Sequence, residues 1–114
     1  MKIEKFEDIV AWKKAEELTL RIYSEFAKCK DFSFRDQICR ASVSIMNNIA
    51  EGFERNTDKE FRFFLFIAKG SSGEVRSMLH LAKSLKYLDQ EKCNSLISLC
   101  SEISRIIAGL IKKL

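Results

Sequence analysis

From Phe61 to Leu85, small and apolar residues recur at steps of three and four without a break: Phe61, Phe64, Ala68, Ser71, Val75, Met78, Ala82 and Leu85. The same alternation carries Cys93, Leu96, Cys100, Ile103, Ile107, Leu110 and Leu114. Steps of three and four keep to one side of an α-helix, and two such sides facing each other make the seam of a left-handed bundle. Glycine occurs only 4 times in 114 residues and proline not at all, so the tight turns of a sandwich or barrel lack the residues they need. The chain reads as all-α.

Two further helices precede this pair. The first is expected over about residues 8–28, capped by Asp8, with the stripe Trp12, Ala15, Thr19, Ile22 and Phe26. The second is expected over 34–55, started by Ser33 with Asp36 reaching back, and its stripe is Phe34, Ile38, Ala41, Ile45, Asn48 and Gly52. Thr57 with Glu60 forms a better capping box for a third helix over 58–86, and Asp89 caps a fourth over 90–113. Short links make neighbours antiparallel, so residues 1–114 are expected to form one domain, an antiparallel up-down-up-down four-helix bundle.

Apolar residues exceed what one such bundle hides. Val10, Leu18, Leu20, Phe63, Phe66 and Ile67 fall off the stripes, and Leu99, Ile106 and Ile111 widen the fourth. An exposed patch of that extent marks a surface shared with another molecule, which predicts a homo-oligomer. The start, Met1 to Lys5, carries no signal-peptide pattern, and the longest apolar run, Ile106 to Ile111, is far shorter than the roughly 20 residues that span a bilayer. A cytoplasmic location without a membrane partner is therefore expected. The four cysteines contain no C-x-x-C pair and His80 is alone, so neither metal nor other cofactor is expected. Cys93 and Cys100 read as small, reduced core residues.

Polar residues interrupt the pattern at two places. Arg40, Ser44, Asn48, Glu51, Arg55 and Glu74 are expected to form a structural cluster in which buried Asn48 sets register. Pairing of the second and third helices across Asn56 places Arg40 opposite Glu74 and predicts a partly buried ion pair. The sharper alternative casts Glu51 and Glu74 as an acid/base pair, but no histidine, metal motif or phosphate loop accompanies them, so no catalytic residue is assigned. Within the third helix, Gly70-Ser71-Ser72-Gly73 is expected to admit close approach by a neighbouring helix. A phosphate-cradling loop needs a preceding strand and a following lysine, and has neither.

The net charge of +4 is not spread evenly. Residues 1–55 carry ten basic and ten acidic side chains, whereas residues 56–114 carry ten and six. Arg62, Lys69, Arg76 and Lys83 recur every seven residues, a line roughly 30 Å long down one face of the third helix. With Lys59 and Lys86 they are the candidate contacts to RNA or DNA, acting by charge neutralisation without base reading. Two alternatives stand beside this: an ordinary solvated helix face, and a protein–protein adaptor in which the stripe is idle. An enzyme ranks third.

The stretch from Phe6-Glu7-Asp8 and Ala11-Trp12-Lys13 through Gln37-Ile38-Cys39-Arg40-Ala41 resembles the four-helix-bundle family of proteins encoded in intervening sequences of bacterial 23S rRNA genes. The resemblance continues in Ser44-Ile45, Asn48-Ile49-Ala50-Glu51-Gly52, Arg55, Glu60-Phe61, Ile67-Ala68-Lys69-Gly70-Ser71 and Glu74. It implies a homopentameric ring, in a family most of whose members lack any demonstrated activity. It also implies similarity to the accessory variability determinant of diversity-generating retroelements, a basic pentamer that binds nucleic acid beside a reverse transcriptase. The family commonly places proline after the Ser-Ile pair. Met46 stands there here, which predicts a straighter second helix.

Overall fold

Three of the four helices begin where a side-chain oxygen takes an otherwise unpaired backbone N–H. The computed structural model describes residues 3–114, so Met1 and Lys2, part of the start read for a signal peptide, lie outside the described residues. Within it the helices are α1 (Val10–Glu25), α2 (Phe32–Glu54), α3 (Asp58–Leu85) and α4 (Gln90–Lys112), with no strand among the described residues. Thr57 accepts from the Glu60 N–H at 3.1 Å and Asp89 from the Lys92 N–H at 2.8 Å, as their sequence positions predict.

The other two starts differ from expectation. Asp31, not Ser33, caps α2 by accepting from the Phe34 N–H at 3.1 Å, while Asp36 turns aside to Arg35 at 3.2 Å. The second Asp31 oxygen accepts from the Tyr87 hydroxyl at 2.8 Å, tying this cap to the α3–α4 link. The Phe34 N–H and then the tyrosine hold the Asp31 carboxyl below its ordinary range. Asp8 does not cap α1. It ends a short 3-10 turn, Phe6–Asp8, and Ile9 takes the cap position with no side-chain bond. Ile9 is buried and Phe6 packs edge-on against Trp12 at 5.4 Å, so apolar anchoring sets this entry instead of a cap. The chain leaves α1 at Glu25, three residues before the expected end.

Contacts between helices run in opposite numerical directions. On α3 and α4, Lys83 meets Asn94, Arg76 meets Ser101, and Ser72 meets Cys100 and Ser104. On α2 and α3, Gln37 meets Glu74 and Ser44 meets Ser71. On α1 and α4, Lys14 meets Glu102 and Glu25 meets Lys92. The core between the helices holds Leu18, Ile22, Phe26, Ile38, Ile45, Ile49, Leu65, Val75, Leu79, Leu96, Ile103 and Ile107, all fully buried. Leu18, Leu99 and Ile111 lie inside this one chain, contrary to the expectation that they were surplus. By length and composition α4 could cross a membrane, but its apolar side faces the other three helices.

The seam of α3 departs from the expected one in an instructive way. Phe61, Ala68, Val75, Met78 and Ala82 are buried as predicted. Leu65, Ser72 and Leu79 complete the stripe, while Phe64 and Ser71, expected there, are only half-buried and Leu85 is 47% exposed. Both sets obey the same three-four spacing; they differ only in which flank of the shared heptad line they add. Hydropathy could not choose, since Ser71 and Ser72 are equally polar. Ser72 is admitted because its hydroxyl donates to the Cys100 carbonyl at 3.0 Å.

Glycines divide differently from expectation. Nothing lies within 4 Å of where a Cβ would stand at Gly70 or Gly73, so neighbouring helices approach this segment at its serines, Ser71 against Ser44 and Ser72 against the Cys100 carbonyl, and not at its glycines. Gly52 is the close approach instead. Gly73→Ala is therefore expected to stabilise the chain by about 0.5–1 kcal/mol, through helix propensity alone. A raised urea midpoint with an unchanged slope checks it.

Candidate nucleic-acid interface

Because the buried flank of α3 is the Leu65–Ser72–Leu79 side, the basic line one step further on is drawn toward α4 and does not point straight into solvent. Arg62, Lys69 and Arg76 are exposed and Lys83 is half-buried. Arg76 donates to Ser101 Oγ across a long 3.4 Å and Lys83 Nζ to Asn94 Oδ1 at 3.0 Å. These partners are neutral, so they orient the cations without cancelling their charge. Lys59 and Lys86 are exposed near the two ends of α3, Lys86 as a left-handed C-cap with φ 61°.

Among the described residues, the ion pairs use other side chains: Lys14–Glu102, Arg35–Asp36, Arg55 with Glu51 and Glu60, and Lys92–Glu25. None of the six candidate cations has a carboxylate partner among the described residues. The line is also wider than its sequence suggests. Arg105, on α4, joins Lys69 and Arg76 around a shallow groove of about 270 Å³ that Ser101, Ser104 and Ala108 complete. Arg105 was not among the candidates, because no periodicity within α3 can show what α4 brings alongside it.

The polar residues expected as one cluster separate into three places: Arg40, Ser44 and Asn48 along one groove, Glu51 with Arg55, and Glu74 alone with Gln37. Asn48 Nδ2 donates to the Ser44 carbonyl at 2.8 Å and to Ser44 Oγ at 3.0 Å, and Ser44 meets Ser71 at 2.9 Å. Asn48 is thus half-buried and bonded, as its place in the stripe requires. Glu51 pairs with Arg55 at 3.6 Å, and Arg55 also pairs with Glu60 at 3.1 Å while stacking over Phe64 at 5.0 Å. The predicted Arg40–Glu74 pair does not form. Glu74 is exposed and accepts from Gln37 at 3.3 Å, while Arg40 lies one turn away beside Tyr23, at the groove between α1 and α2. Gln37, not Arg40, occupies the α2 flank that faces α3.

Burial pushes the Cys39, Cys93 and Cys100 thiols up, Cys100 to about 12, so these three stay protonated. Among the described residues, no three His, Cys, Asp or Glu side chains gather as metal ligands would.

An all-helical protein of four helices, with an unpaired basic face along α3 and α4, is the class these features define. The chain matches the 23S rRNA-intervening sequence protein family over residues 7–109, and it belongs to that family. Its fold is similar to that of a protein of unknown function from the S23 ribosomal protein family of Bacteroides thetaiotaomicron. That structure has a TM-score of 0.85 and 28% identity, with 90% of this chain and 99% of that one covered. No curated protein sequence matches the chain.

Proposed function

We propose that this protein is a non-enzymatic, oligomeric helical scaffold that associates with RNA or DNA through the basic face of α3 and α4. The observation that carries the reading is the set of six cations along α3 and its C-cap that, among the described residues, have no carboxylate partner, three of them on the seven-residue line exposed. Phosphates along a nucleic-acid backbone are the regular anions such a line matches, and contacts of this kind position without reading bases. The test is an anisotropy titration of a labelled single-stranded RNA: affinity should fall about tenfold or more between roughly 50 and 200 mM salt. A flat response, or no binding at low salt, ends the reading.

The bundle is read as up-down-up-down and the assembly as a homo-oligomer, a pentamer by resemblance to the family. A cytoplasmic location fits both, and a nucleic-acid enzyme such as a reverse transcriptase is the protein partner the resemblance points to. Support for assembly comes from the far side of α3, where Phe63, Ile67, Leu81 and Leu85 are all exposed, Phe63 by 61%. Phe63 and Leu81 stand about five turns apart on one line, away from the basic face. Sedimentation at micromolar concentration should give a multiple of 13.2 kDa, and Phe63→Lys with Ile67→Lys should reduce it to the single chain without loss of helicity. A solitary wild-type chain would overturn the assembly. The same strip favours the second reading, a protein–protein adaptor, which predicts assembly or partner binding with no affinity for nucleic acid.

A further inference from the structure

We propose that the groove between α3 and α4 is a seat for a phosphate group, built by both helices, which takes one phosphodiester of a bound nucleic-acid strand; this deepens the reading above and rests on it. Three cations converge there, Lys69 and Arg76 from α3 and Arg105 from α4, and no carboxylate lines the groove. Three positive side chains held together without a counter-charge repel one another, and an anion placed among them relieves that repulsion. A guanidinium matches the planar fork of phosphate oxygens, so Arg76 and Arg105 set the geometry while Lys69 adds a point charge.

The hydroxyls settle which oxygen donates. Ser104 gives its proton to Ser72 Oγ at 3.0 Å, and Ser72 gives its own to the Cys100 carbonyl at 3.0 Å. That chain runs inward and leaves Ser104 nothing to offer the groove. Ser101 accepts from Arg76, so its own proton remains free to meet a phosphate oxygen. The seat is therefore Lys69, Arg76, Ser101 and Arg105, with Ser104 as part of the scaffold behind it.

The experiment compares equal charge removals in the full chain. Arg105→Gln should weaken binding of a short labelled oligouridylate about five- to tenfold, and reduce the salt slope by about 0.7, the value of one single-strand contact. Lys13→Gln, exposed on α1, should change affinity less than about twofold. Ser101→Ala should weaken binding about threefold while Ser104→Ala leaves it unchanged. Equal losses for Arg105→Gln and Lys13→Gln would overturn the seat and leave the basic-face reading standing. If the wild-type chain binds no RNA, inorganic tripolyphosphate decides. Amide shifts at Ser101 and Arg105 that vanish in Arg105→Gln would keep the phosphate seat and remove the nucleic-acid reading. No shifts would remove both.

Discussion

Changing Arg62, Lys69, Arg76 and Lys83 together to glutamate should abolish RNA binding while the protein remains folded and assembled. Each reversal subtracts two charges, so the formal net charge falls from +4 to −4. Four lost phosphate contacts reduce the salt slope by about 3 and weaken binding at least about a hundredfold near 0.1 M salt, before any repulsion by the new carboxylates. Folding should tolerate the change. Arg62, Lys69 and Arg76 are exposed, Lys83 is half-exposed, and none joins an ion pair among the described residues. The two hydrogen bonds lost, to Ser101 and Asn94, are at the surface and of modest strength. Anisotropy with a labelled RNA reads the binding, and sedimentation of the same sample reads the assembly. Retained affinity would place the contact on another face. Loss of assembly along with affinity would show the line to be structural.

The second large effect is expected at Gly52. A Cβ there would stand 2.7 Å from Phe64 Cβ, 3.0 Å from Phe61 Cδ1 and 3.2 Å from the Phe61 carbonyl oxygen. Two of these three atoms are backbone or fixed directly to it, so no side-chain rotation relieves the clash, and α2 must move away from α3. Gly52→Ala should destabilise by about 2 kcal/mol even after the propensity gain of about 1 kcal/mol from alanine in a helix. Gly52→Val should destabilise by about 4 kcal/mol or more, lowering the thermal midpoint by roughly 15 °C. Thermal unfolding followed by circular dichroism measures both. An alanine variant as stable as the wild type would contradict the close contact, and the opposite sign at Gly73→Ala makes the pair a sharp comparison.

These two glycine positions show why parts of the molecule were legible beforehand and others were not. Gly70 and Gly73 drew attention because glycine inside a strong helical pattern is unfavourable and invites a packing reason. Yet both open onto space, and the close approach is at Gly52, which sits in the expected stripe of α2. Glycine in a sequence announces a missing side chain, not the neighbour that needs it missing. Arg40 and Glu74 teach the same lesson: the expected register placed them together, but an offset of about one turn along α2 gives Glu74 to Gln37. Of the candidate cations, the four on the seven-residue line were visible because they share one helix. Arg105 was invisible because its partners are on another.

What the chain settles by itself is everything that one helix can decide alone. The all-helical class, the four segments, the caps at Thr57 and Asp89, and the buried line Phe61, Ala68, Val75 and Ala82 all follow from bonds and spacings within a few residues. Tertiary structure decided the flank added to that line, Leu65, Ser72 and Leu79 ahead of Phe64 and Ser71, and with it the lean of the basic residues toward α4. The physical reason is rotational. Periodicity locates a helix face only to within about one residue, or 100°. The final orientation is chosen by neighbouring helices, through a carbonyl that only Ser72 can reach and a gap that only Gly52 leaves.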